Sequence, residues 1–149
     1  MAEVLFYHLE HHSLDTVLPT LLEKTLERGW RAAIETGSEP TLDAVDAELW
    51  TYKEESFLPH CLSSSDKAAV CPIVLTTDDQ NVNGAHVRFY IDGATPGEDL
   101  DYERVVIMFD GRDDQAKDQA RSLWKTYLNS DHEPTYWQQS ESGKWEKKA

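Results

Sequence analysis

RVVIMFDGRDDQAKDQARSLWKTYLN, residues 104–129, decides the fold. Arg104–Phe109 is almost continuously apolar, as a strand buried on both faces must be, whereas a half-exposed strand would alternate. Asp110–Asp114 supplies loop and helix-capping residues, and about Gln115–Asn129 has helical spacing. The segment therefore predicts a central strand leading into a surface helix.

The same grammar extends toward the N-terminus. Glu3–His8 alternates and is rich in β-formers. Leu14, Val17, Leu18, Leu21, Leu22 and Leu26 then share one helical face, with Gly29 as the stop and Pro19 tolerable if it lies in the first turn. Trp30–Ile34 has strand length, and Gly37–Thr41 is turn and cap chemistry before a helix carrying Leu42, Val45 and Leu49 and ending near Trp50. Tyr52–Cys71 reads as irregular, Pro72–Thr76 and Val87–Ile91 as strands, with Asn83-Gly84 a turn signal between them. Alternating strands and helices predict one α/β domain over residues 1–149, with a three-layer, Rossmann-like architecture, a mainly parallel sheet of about five strands and an extended tail over 130–149.

The chain has 149 residues, of which 40% are hydrophobic and 28% charged, an ordinary globular composition that needs no metal or disulfide staple. Its 28 acidic and 14 basic residues give a net charge of −14, which repels a polyanion at long range and excludes direct high-affinity DNA binding. The imbalance is local: residues 112–149 hold 7 acids and 7 bases. No apolar run approaches the roughly 20 residues that span a bilayer, and no leader pattern opens the chain, so a soluble cytoplasmic protein is expected.

A nucleotide-binding α/β domain places glycines after its first strand, but the turn here is His8-Leu9-Glu10-His11-His12-Ser13, and no GxxxxGK[ST] occurs. A fold without a nucleotide site follows. His8, His11 and His12, with His60, Cys61 and Cys71, show no CxxC or HxxxH spacing, so no metal or cofactor is expected. Ser56 and His60 lack a GxSxG context for nucleophile and base. Asp110, Asp113 and Asp114 follow an apolar strand, where a metal-dependent phosphoesterase puts carboxylates. They suit a helix N-terminus better, since its dipole and open amides favour acids.

On the last helix, Ala116, Ala120, Leu123 and Tyr127 form the stripe that should meet the sheet. Lys117, Arg121, Trp124, Lys125 and Leu128 form a second stripe centred about 120° away. It is either a solvated basic flank with Trp124 tucked under a neighbour, or a pocket for a partner bearing a carboxylate and an apolar ring. Leu49, Trp50, Phe57, Leu58 and Pro59 gather bulky apolar residues around a helix end and are equally a satellite core cluster or a protein interface.

These residues, with FYHL at 6–9, LLEKTLERGWR at 21–31, LDAVDAELWTY at 42–52, ESFLPH at 55–60, PIVLTT at 72–77, NGAHVRFYIDGA at 83–94, YERVVIMFDGRDDQAKDQARSLWKTY at 102–127 and YWQQSESGKWEKKA at 136–149, resemble the chi subunit of bacterial DNA polymerase III holoenzyme along the whole chain. The resemblance implies a non-catalytic adaptor that binds the acidic C-terminal tail of single-stranded DNA-binding protein and reaches the clamp loader through the psi subunit. It assigns tail binding to Arg121, Trp124 and Lys125, with Trp124 where other members carry tyrosine. Trp50 and Phe57 match the psi-contacting aromatics.

Overall fold

The computed structural model describes residues 3–9, 14–51, 59–97, 102–139 and 144–148. Strand β1 (Glu3–Leu9) leads to α1 (Leu14–Glu27), β2 (Ala32–Glu35) and α2 (Glu39–Thr51). Short β3 (His60–Leu62) and a 3-10 turn (Ala68–Val70) precede β4 (Ile73–Thr76), β5 (Val87–Tyr90) and β6 (Arg104–Asp110). Helix α3 (Asp114–Leu128), β7 (Glu133–Gln139) and β8 (Trp145–Lys147) complete the order.

The eight strands among the described residues join one sheet in the order β3-β4-β2-β5-β6-β1-β7-β8, parallel throughout except for the β7–β8 pair. The expected fold class therefore holds, but the expected five strands become eight. β3 lies inside the stretch read as irregular, and β7 and β8 lie in the tail. All three sit toward the sheet's flanks, where one face or one edge stays wet and the apolar signal is diluted. Pro19 is a second correction: it is the sixth residue of α1, beyond the first turn, so the helix forgoes one internal hydrogen bond there.

Pleat parity divides the core into two layers. Tyr7, Leu9, Ile34, Leu75, Phe89 and Met108 face α1 and α2, whose Leu18, Leu22, Val45 and Leu49 close that side. Val4, Phe6, Val105, Ile107 and Phe109 face the other way, onto Ala120 and Tyr127 of α3. Both sides of β6 are thus covered, which is why its sequence is an unbroken apolar run. Arg88 is a charged residue within the core: fully buried, it bonds Glu35 at 2.7 Å and the carbonyls of Asp78 and Gln80 at 2.6 and 3.0 Å.

Candidate functional site

Helix α3 is set by its first turn and its buried stripe. The Asp113 carboxylate accepts from the backbone N–H groups of Gln115 and Ala116, capping the helix. Ala120 and Tyr127 are buried, with Ala116 and Leu123 packed beside them, as the spacing predicts. That contact turns the second stripe outward. Arg121, Lys125 and Leu128 are exposed, Lys117 and Trp124 half-buried.

Trp124 is half-buried, tucked against its neighbours with part of the ring at the surface. Its ring meets Phe6 of β1 edge-on at 5.6 Å and Tyr136 of β7 edge-on at 6.0 Å. Such pairs contribute about 0.5–1.5 kcal/mol each, enough to fix the ring's orientation while part of it faces solvent. The Tyr136 hydroxyl is in turn 2.6 Å from His8 Nδ1, so β1 and β7 jointly hold the wall that Trp124 presents. Neither Tyr136 nor His8 was assigned to this face from sequence, because α3 and β7 come from one end of the chain and β1 from the other.

The cations flanking Trp124 remain accessible. Arg121 lies 3.8 Å from Asp118 and Lys117 3.6 Å from Asp114, both as solvent-facing i,i+3 pairs. Exposed pairs of this kind contribute only about 0–1 kcal/mol, less than the roughly 1.5–3 kcal/mol of a hydrogen bond to a charged group. The Arg121–Asp118 pair is therefore too weak to lock the guanidinium in place. Lys125, in the last turn, makes no ion pair among the described residues.

The other assigned residues divide. Trp50 is 55% exposed at the end of α2, its ring 4.4 Å from that of His60. His60 Nε2 also lies 3.1 Å from the Asp46 carboxylate, one turn before Trp50. Pro59 is half-buried nearby in sequence, and Phe57 and Leu58 lie outside the described residues. Leu49 is a correction: at 1% exposure it belongs to the main core and supports the patch from behind, because its position on α2 points toward the sheet.

The carboxylates do not converge. Asp110 is engaged by the Arg112 guanidinium at 3.1 Å, a bond that, with the Arg112 backbone N–H, holds its carboxyl below the usual range. Asp113 caps α3, and Asp114 faces solvent. For Asp113 the helix-terminus reading holds, since its carboxylate caps α3. Among the described residues no group of three or more His, Cys, Asp or Glu could hold a metal ion; His11 and His12 lie outside them, as does Ser56.

A crevice of about 630 Å³ does open at the C-terminal ends of β1 and β6, where a Rossmann-like sheet ordinarily takes its ligand. Asp92, Asp110 and Asp113 line it, and the α3 N-terminus above it is already capped by its own Asp113. A phosphate would meet carboxylates there.

Comparison with known proteins supplies two findings. A family model described as DNA polymerase III chi subunit, HolC, matches residues 1–135. A protein of Rickettsia prowazekii (strain Madrid E) described as probable DNA polymerase III subunit chi is 25% identical over 109 residues, 73% of this chain. Those residues are 66% of that relative, so the chain spans just under two thirds of its length.

Proposed function

The chain belongs to the DNA polymerase III chi subunit family, and from that premise we propose that it is a non-catalytic accessory subunit of the replicative polymerase. It acts as an adaptor: one surface takes the C-terminal tail of single-stranded DNA-binding protein, and another reaches the clamp loader through psi or a protein in psi's place. The observation that carries this reading is the α3 face. Arg121 and Lys125, one turn apart and exposed, flank a Trp124 ring fixed by Phe6 and Tyr136. Arg121 offers a planar fork for a terminal carboxylate, Trp124 a wall for an apolar ring, and Lys117 and Lys125 positive charge for steering, with Leu128 extending the apolar rim.

Trp50, with Phe57, Leu58 and Pro59 following it in sequence, is the second surface. An exposed tryptophan at a helix end has the character of an interface anchor. No helix among the described residues is long and apolar enough to cross a membrane; under this reading the subunit works in the cytoplasm, beside the polymerase it belongs to. The test is affinity capture from the native organism with the wild-type chain as bait. Single-stranded DNA-binding protein and clamp-loader proteins should be retained, Lys125→Glu should lose the former, and Trp50→Ala the latter. Retention of neither by the wild-type chain would refute the adaptor reading.

A further inference from the structure

At the opposite end of the strands from the carboxylate-lined crevice, a cleft of about 350 Å³ remains between α1, the starts of β1, β5 and β6, and the C-terminal strands. Its α1 wall carries Leu21, Lys24 and Thr25, and Arg28, in the turn just past the helix end, continues the same face. Its far wall is aromatic. Tyr7 stacks on Trp137 at 6.5 Å and meets Trp145 edge-on at 4.8 Å. Trp30 forms the rim, with the guanidinium groups of Arg28 and Arg104 at 5.3 and 5.4 Å from its ring centre.

The local charge is opposite to that of the chain. Three cations converge with one carboxylate, Glu3, which is bonded to Arg104 Nε at 3.2 Å. Lys24 and Arg28 are exposed and have no acidic partner among the described residues. Two uncompensated positive charges beside a ring-lined hollow suit a flat apolar body joined to a group carrying nearly two negative charges. A carboxylate supplies one charge, while a phosphate monoester supplies about 1.5–2 near neutral pH, with three strong acceptor oxygens. The volume lies at the small end of ligand pockets, suited to one nucleotide rather than a dinucleotide.

We infer that this cleft binds a nucleoside monophosphate group, the base against Trp137 and Trp145 and the phosphate held by Lys24 and Arg28. Base stacking on exposed aromatics with cations on the phosphate is the general chemistry of single-strand recognition, and it tolerates any base. The net charge of −14 keeps the contact weak, because the rest of the surface repels an anion that the cleft attracts. The site uses no residue of the α3 face or the Trp50 patch, so it stands or falls separately from the adaptor reading.

Quenching of tryptophan fluorescence and calorimetry with dTMP and AMP test the proposal, with the matching nucleosides, a 5′-phosphorylated oligothymidylate and an acidic peptide ending in phenylalanine as comparisons. Saturable binding of the monophosphates is expected, weaker by about tenfold for the nucleosides and for Arg28→Ala, whose melting temperature should match wild type. Oligonucleotide binding as tight as dTMP supports the proposal with a strand end as source, and preference for the free monophosphates supports it with a metabolite as source. Three results would overturn it: nucleosides binding as well as their monophosphates, indifference to Arg28→Ala and Lys24→Ala together, or displacement of dTMP by the acidic peptide at lower concentration.

Discussion

Arg88→Met should be among the most damaging single substitutions in this protein. The side chain is fully buried, its guanidinium bonded to Glu35 at 2.7 Å and to the carbonyls of Asp78 and Gln80, with Tyr90 and Tyr102 rings 5.7 and 5.9 Å away. Methionine replaces the stem but leaves the Glu35 carboxylate, only 12% exposed, without its cation. Removing one partner of a buried pair costs about 3–5 kcal/mol. The two carbonyls belong to a surface loop that water reaches, so their loss adds little and the lower half of that range applies. At about 2–4 °C per kcal/mol for a chain of this size, thermal unfolding followed by circular dichroism should shift down by roughly 6–16 °C. Adding Glu35→Met removes the stranded charge and should recover part of the loss, because well-packed apolar residues often replace a buried pair at little cost. A single mutant melting within about 2 °C of wild type, or a double mutant less stable than the single, would refute the claim that Arg88 and Glu35 form one buried unit.

Trp50→Ala should leave the melting temperature nearly unchanged, since more than half of the side chain is already in water, and should abolish clamp-loader capture; a large loss of stability would make Trp50 a core residue. Gly111→Ala should destabilise by about 1–3 kcal/mol in urea unfolding, because a Cβ there would stand 1.7 Å from the buried His8 ring. The displaced ring should also change tryptophan fluorescence through Tyr136 and Trp124, and an unaltered spectrum would break that chain of contacts. Burial raises the phenols of Tyr7 and Tyr90 above their ordinary value and that of Tyr127 to about 12. An unfolded chain would release those protons first, so stability should fall as pH rises from about 10 toward 12, read by phenolate absorbance alongside circular dichroism; complete ionisation near pH 10 with the fold intact would contradict it. Burial likewise pushes the Cys71 thiol up to about 11, so an alkylating reagent at neutral pH should label Cys61 first, as peptide mass spectrometry would show.

The strands legible in the sequence are those with both faces covered. Val105–Phe109 and Ile73–Leu75 are unbroken apolar runs because helices or loops lie on each side. β7 was not legible: Glu-Pro-Thr-Tyr-Trp-Gln-Gln mixes a proline with aromatics that serve different faces, Tyr136 toward Trp124 and Trp137 toward Tyr7. β3 is three residues long, below the length at which a period can be read. The α3 face was legible because helical geometry alone sorts Arg121, Trp124 and Lys125 from Ala120 and Tyr127. What holds Trp124 was not, since Phe6 and Tyr136 are brought together only by the parallel pairing of β1 with β7. The cleft beside α1 escaped for the same reason: Lys24 and Arg28 follow one face of α1 and the turn just past its end, but their aromatic counterparts arrive from β1, β7 and β8.

The α3 face should capture the tail of single-stranded DNA-binding protein, and fluorescence anisotropy of a labelled C-terminal tail peptide reads that binding directly. Wild type should bind weakly, because a short peptide buries little area against its ordering cost, and added salt should loosen the complex. Arg121→Ala should weaken binding by about tenfold or more, Lys125→Glu should do the same by reversing a steering charge, and a peptide lacking its terminal phenylalanine should bind poorly to all three proteins. Equal binding by wild type and both variants, or by the truncated peptide, would contradict the account and place the partner on another surface.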